Sequence, residues 1–238
     1  MSLAIHEEWW FKVVVYFGFV ILYLSKYKNG SDRSVECVVK KCLPLISAIA
    51  LHLCDTDFKF SIPPTTYSQK ILSGLIFGMI GDGALAMSET DNDFYFLVGY
   101  VNFCIGHLMY INAFGLHPLD PESLGIFLVF FILGMHKLFQ VYSGISDRNM
   151  VVLYGILVTT MGWRACAKSG FFINKQVDHA QLTLMTGGIL FVLSDFLLAT
   201  KGCCPIQDCQ IWILATYYCG QFAIWTSTMN WKTFRVLP

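Results

Sequence analysis

The chain has 238 residues, with 16 basic and 16 acidic side chains and a formal net charge of zero. Only 13% of its residues are charged and 55% are hydrophobic, where a soluble domain carries about 25% charged residues; mean hydropathy is +0.57. This balance excludes an ordinary soluble enzyme, offers no basic face for nucleic acid, and leaves no room for a separate soluble domain. The expectation is an all-α polytopic membrane protein, with residues 1–238 forming a single integral membrane domain.

A membrane-spanning helix needs about 20 mainly apolar residues. Eight such segments are expected, at 9–24, 35–54, 70–88, 94–114, 122–141, 149–168, 179–200 and 209–229. The first follows an acidic start, "MSLAIHEE", and no small-residue cleavage site comes after it, so it is expected to remain as a span. Trp9, Trp10, Trp225 and Trp231 fall near segment ends, where amphipathic rings favour the headgroup layer. The second segment is the least apolar at its start, with Lys40 and Lys41 in its first turns. The third, "GLIFGMIGDGALAMS", carries Asp82 well inside the apolar run. A charge there costs about 2.5 kcal/mol or more, which makes Asp82 a candidate functional residue.

The fourth segment holds Asn102, His107 and Tyr110, the last two one turn apart on one helix face. The sixth holds Arg164 in "MGWRACA", the seventh Asp195 in "SDFLLA", and the eighth Tyr218 and Gln221 in "TYYCGQ". The connections are short and rich in turn residues, such as "KYKNGSDRS", "GLHPLDPE" and the acidic "SETDND". Before the eighth segment, "CCPIQDC" contains Cys203, Cys204 and Cys209, read either as a zinc fragment or as a palmitoylation site. A fourth ligand at suitable spacing is missing, and His52, His117, His136 and His179 show no metal-ligand spacing, so neither a metal nor another cofactor is expected. Lys and Arg divide evenly between the two sides, so orientation is undecided.

A faint internal repeat runs through these marks. "GDGALA" in the third segment and "SDFLLA" in the seventh both read small-Asp-x-x-Leu-Ala, and "GHLMY" and "GQFAI" follow in the fourth and eighth. This pattern suggests two parallel four-helix repeats. Segments three and seven then run in the same direction, and the rise per residue puts Asp82 and Asp195 about 10 Å inside the same membrane face. His107 lies deeper, about 20 Å from that face, and Asn102 nearer the carboxylates.

At these residues the sequence resembles the YhhN-like, or lysoplasmalogenase, family of eight-span membrane proteins, specifically its animal branch. The marks run from "KKCLPL" at Lys40 through "GD" at Gly81–Asp82, "GHLMYINAFGLHPL", "GWRA" and "SDFLLA" to "TYYCGQ". The first 35 residues and "SETDND" lie outside the match. The resemblance implies hydrolysis of the vinyl ether bond of lysoplasmenyl-ethanolamine or -choline to a fatty aldehyde and a glycerophospho-base, in the endoplasmic reticulum membrane.

Such a cleavage needs a proton donor, a nearby negative charge and an activated water. Two close carboxylates in a low-dielectric site do not readily ionise together, so Asp82 and Asp195 are the candidate catalytic pair, with Asp195 read as the acid and Asp82 as the ion stabiliser and water base. The rival reading is that both cap wetted helix ends. His107, Tyr110, Asn102, Tyr218 and Gln221 are candidates for orienting substrate or water, and equally for interhelical hydrogen bonds. Lys41 and Arg164 are candidates for the phosphate, the arginine through a bidentate fork, with snorkelling to the headgroups as the alternative. A transporter or scramblase using the carboxylates as ion sites, or a non-catalytic lipid-binding protein, is the competing class of function.

Overall fold

The computed structural model describes residues 2–26, 34–88, 93–141, 145–174, 178–200 and 209–229, and every regular element among them is helical. The elements are α1 (Ser2–Lys26), α2 (Val35–Asp55), α3 (Tyr67–Met87), α4 (Asp93–Phe114), α5 (Pro121–Val141), α6 (Ile145–Ser169), the short α7 (Phe171–Asn174), α8 (His179–Thr200) and α9 (Cys209–Thr226). Each of the eight expected segments is a helix. The four-residue α7 occupies the connection "SGFFINKQVD", where no helix was expected.

The helix ends follow local chemistry. Ser34 caps α2 by accepting from Cys37 N at 3.2 Å. Thr66 and Gln69 form a capping box at α3, and Asp178 and Gln181 exchange two 2.8 Å bonds at the start of α8. These side chains occupy backbone N–H groups that would otherwise be left bare at a helix start. Asp120 opens α5 by accepting from Glu122 N and Ser123 N, with Pro121 at the first helical position, where its missing N–H costs nothing. Gly115, at φ +76°, ends α4 in the left-handed conformation that glycine tolerates.

Among the described residues, seven helices are long and apolar enough to cross a membrane: α1 to α6 and α8. The eighth expected span, α9, is helical but does not meet that criterion. Gln210, Thr216 and Gln221 dilute its apolar content, and it is the most enclosed helix, with Ile213, Tyr217, Tyr218, Gln221, Phe222 and Trp225 all buried. A helix wrapped in protein has less need of a lipid-facing surface. The burial pattern agrees with a bilayer as solvent. Lys12, His52, Asp82, His107, Arg164 and Gln221 are buried, whereas Val14, Phe94, Ile132 and Trp212 are exposed. The chain is a multi-pass integral membrane protein.

The chain divides into two compact units, Met1–Met109 with Thr228–Pro238, and Tyr110–Ser227. In the first, α1 packs on α2 and α2 on α3. Lys12, buried on α1, ties the first of these pairs by bonding Glu8 at 2.6 Å and Asp55 of α2 at 2.7 Å. In the second unit, α5 packs on α6, α6 on α8, and α8 on α9.

Each unit contains a very close helix crossing. In the first, a Cβ on Gly106 of α4 would stand 3.3 Å from the Gly74 carbonyl of α3 and 3.7 Å from Gly78 N. In the second, a Cβ on Gly220 of α9 would stand 3.2 Å from the Gly187 carbonyl of α8 and 3.1 Å from Phe191 N. Small residues allow such approaches, and packing gains there replace the hydrophobic drive that lipid does not supply. The two crossings use corresponding positions. Gly74 and Gly187 each lie a little over two turns before Asp82 and Asp195, and Gly106 and Gly220 immediately precede His107 and Gln221.

Candidate functional site

Asp82 sits in the last turns of α3, where the glycine-rich stretch around it lets α2 approach closely. A Cβ on Gly83 would meet Cys42 Sγ at 3.5 Å, and Cys42 Sγ lies 3.7 Å from the Met79 carbonyl it faces. Lys41 on α2 places its Nζ 3.3 Å from Asp82 Oδ1, with the two side chains only 14% and 5% accessible. In a low dielectric, an ammonium at this distance compensates a carboxylate that would otherwise be costly to bury. Lys40, one position earlier, is about as enclosed but pairs with Glu36 on its own helix. The two lysines, alike in sequence, therefore have different settings.

Asp195 occupies α8 in the second unit. Its Oδ1 accepts a 3.3 Å hydrogen bond from the Tyr154 hydroxyl on α6, and its Oδ2 is buried with no hydrogen-bond partner among the described residues. Next to it, Ser194 Oγ donates to the Ile213 carbonyl of α9 at 2.9 Å, fixing α8 against α9 at the level of the carboxylate. Tyr154 was not among the residues singled out from sequence. A lone tyrosine in an apolar segment carries no signal, except that it stands at the same offset from Lys41 as Asp195 does from Asp82.

Tyr110, Gln221 and Tyr217 form a buried chain. The Tyr110 hydroxyl donates to Gln221 Oε1 at 2.6 Å, and Gln221 Nε2 donates to the Tyr217 hydroxyl at 3.3 Å. Tyr218, fully buried, packs edge-on against Tyr217 with ring centroids 5.1 Å apart. Sequence reading named Tyr110, Tyr218 and Gln221 but missed Tyr217, whose hydroxyl accepts from Gln221. His107 is buried on α4. Asn102 Nδ2 donates to the Val98 carbonyl of its own helix at 2.8 Å, which satisfies part of its amide locally.

Arg164 is fully buried near the end of α6. Its Nε donates to the Gly115 carbonyl at 2.6 Å and its Nη1 to the Pro118 carbonyl at 2.7 Å, while Trp163 Nε1 donates to the Asp120 carbonyl at 3.0 Å. These bonds clamp the connection between α4 and α5 onto α6. Arg164 Nη2 is buried with no hydrogen-bond partner among the described residues.

Among the described residues, no group of three or more His, Cys, Asp or Glu side chains could hold a metal ion. Cys203 and Cys204, like Trp231 and most of "SETDND", lie outside the described residues. Comparison with known proteins places these residues in context. Lysoplasmalogenase TMEM86A of Bos taurus is 29% identical over 221 residues, covering 92% of this chain and 89% of that protein. Lysoplasmalogenase TMEM86A of Homo sapiens is 27% identical with the same coverage, and Lysoplasmalogenase TMEM86B of Homo sapiens is 28% identical over 194 residues, 80% of this chain and 74% of that protein. No solved structure matches the chain. The YhhN family model matches residues 37–228, which takes in all but the first two residues of α2 and the whole of α3 to α9, with Lys41, Asp82, Tyr154, Arg164, Asp195 and Gln221 among them: the chain belongs to the YhhN family.

Proposed function

We propose that this protein is a lysoplasmalogenase of an intracellular membrane, the endoplasmic reticulum being the compartment expected from the family resemblance. It hydrolyses the vinyl ether bond of a lysoplasmenyl-ethanolamine or -choline, releasing a fatty aldehyde and the glycerophospho-base. The observation that carries this reading is the presence of a buried carboxyl group at the same place in each unit, Asp82 and Asp195, in a chain whose relatives are named lysoplasmalogenases.

The chemistry suits a carboxyl pair. Protonation of the outer vinyl carbon forms a C–H bond from the alkene electrons and leaves an oxocarbenium ion stabilised by the ether oxygen. Water adds at the carbon bearing oxygen and loses a proton to a base. The hemiacetal then collapses, breaking the bond to the glyceryl oxygen. One carboxylic acid and one carboxylate satisfy every proton movement without a metal or cofactor. Tyr110, Tyr218, Gln221, His107 and Asn102 are proposed to line and orient the substrate. Arg164 is proposed for the phosphate side, and Lys41, the other phosphate candidate in the sequence, for the side of Asp82, which it faces at 3.3 Å. Arg164 already holds two loop carbonyls through Nε and Nη1, so the N–H groups of Nη2 are the ones proposed to reach the phosphate.

The test is aldehyde release from lysoplasmenyl-ethanolamine by the purified protein and by Asp82→Asn and Asp195→Asn. Asn keeps the shape but cannot shuttle the proton, so each variant should lose at least ~100-fold in kcat. The double variant should be little worse than either single, because residues acting as one unit are not additive. Wild-type protein that binds the lipid without releasing aldehyde, or drives ion-dependent uptake, would overturn the reading.

A further inference from the structure

We infer that the two units are copies of one four-helix module in which the side chain facing the carboxyl group has diverged, and that this divergence divides the catalytic labour: Lys41 holds Asp82 as the resting carboxylate and base, while Tyr154 positions Asp195 as the proton donor. The inference rests on the hydrolase reading above for its chemistry, and on geometry alone for its asymmetry.

The correspondence is structural and runs through several contacts. Gly74, Gly78 and Asp82 on α3 take the places of Gly187, Phe191 and Asp195 on α8. Gly106 of α4 closes on Gly74 and Gly78 as Gly220 of α9 closes on Gly187 and Phe191. Lower on the same helix pairs, Gly99 faces the Gly81 carbonyl, and the residues at the matching positions, Ile213 and Ser194, are joined by a hydrogen bond. The preceding helix obeys the same offset. Lys41 reaches Asp82 from α2 at 3.3 Å, and Tyr154 reaches Asp195 from α6 at 3.3 Å. One architecture thus presents one carboxyl group to a cation and the other to a neutral phenol.

These partners have different consequences in a low dielectric. An ammonium compensates the negative charge of the carboxylate beside it. A phenol fixes direction but brings no charge, and an uncompensated carboxylate in a spanning helix is the costly state. Asp195 avoids that cost by holding a proton. With Tyr154 occupying Oδ1, the buried Oδ2 is the oxygen that carries it. In the reaction, the Asp195 proton passes to the outer vinyl carbon. Asp82 stabilises the oxocarbenium ion and takes a proton from the attacking water. As the hemiacetal collapses, Asp82 returns its proton to the leaving glyceryl oxygen and Asp195 recovers one from the hemiacetal hydroxyl, so both groups end as they began.

The experiment exchanges the partner. Tyr154→Lys gives Asp195 the environment of Asp82 and should lower kcat by ~100-fold or more, with KM near the wild-type value. Tyr154→Phe removes only the hydroxyl and should lower kcat by about tenfold. Infrared spectroscopy supplies a readout that needs no turnover. The C=O stretch of a buried protonated carboxyl group should be present in wild type and in Asp82→Asn, and absent from Asp195→Asn and Tyr154→Lys. Melting curves in detergent establish that each variant is folded; if Tyr154→Lys is not, Tyr154→Phe and the infrared comparison of the two Asn variants decide. A folded Tyr154→Lys with wild-type kcat, or a band lost in Asp82→Asn and kept in Asp195→Asn, overturns the assignment. Absence of aldehyde from wild type defeats the hydrolase reading instead, while the infrared bands still report whether the asymmetry exists.

Discussion

Arg164 shows how one side chain can have more than one reading. In sequence it is a cation in an apolar segment, and both a phosphate grip and snorkelling are natural expectations. The structure uses two of its nitrogens to hold the carbonyls of Gly115 and Pro118. A lysine at this position keeps the charge but loses the planar fork that reaches two carbonyls at once. Arg164→Lys should therefore lower stability by about 1.5–3 kcal/mol, the worth of one charge-assisted hydrogen bond. A melting temperature equal to wild type would show that the loop needs no such clamp. The carboxylates were legible because a charge in a spanning helix is costly wherever it occurs. Their partners were not. Lys41 was found as a lysine in an apolar run, but its direction toward Asp82 follows from the rotation of α2 on α3. Tyr154 and Tyr217 were invisible because a tyrosine is at home in a membrane segment whether or not its hydroxyl has work to do.

Helix existence was legible for the same reason that the carboxylates were, since long apolar runs between turn residues have one stable form in lipid. The ends were set by capping chemistry, which is why α2, α5 and α8 begin within a residue of the expected positions. The α7 turn and the earlier starts of α1 and α6 were not legible, because polar connections permit helix as readily as coil. Helix pairing was hidden almost completely. The close crossings depend on glycines whose role appears only once the facing backbone is known. A Cβ on Gly187 would stand 2.8 Å from Ile224 N and 3.0 Å from the Gly220 carbonyl. Backbone cannot yield as a side-chain tip can, so Gly187→Ala should cost about 1–3 kcal/mol through overpacking. Gly18 on α1 has nothing within 4 Å of its Cβ position, and Gly18→Ala should be neutral or slightly stabilising. Thermal melts of the two variants check this, and equal losses would contradict the close α8–α9 crossing.

For the molecule as a whole, the arrangement is that of a protein dissolved in lipid: apolar residues outward, polar residues gathered inside each unit. Each unit holds one carboxyl group of the proposed pair, Asp82 beside the Lys41 ammonium and Asp195 beside the Tyr154 hydroxyl. The weak motif echo between "GDGALA" and "SDFLLA" is the sequence feature on which the proposed duplication rests, beside the glycine crossings and the matching offsets of Lys41 and Tyr154. Vinyl ether hydrolysis leaves a mark that neither ester hydrolysis nor transport can produce, because the proton delivered to carbon stays in the product. The decisive measurement is the isotopic content of the aldehyde released from lysoplasmenyl-ethanolamine in heavy water, trapped at once by reduction and corrected with a no-enzyme control for exchange. One deuterium on the carbon adjacent to the former carbonyl, formed at a rate that heavy water slows by about twofold or more, is the predicted result. Unlabelled aldehyde from active protein would contradict carbon protonation and, with it, the roles given to Asp82 and Asp195.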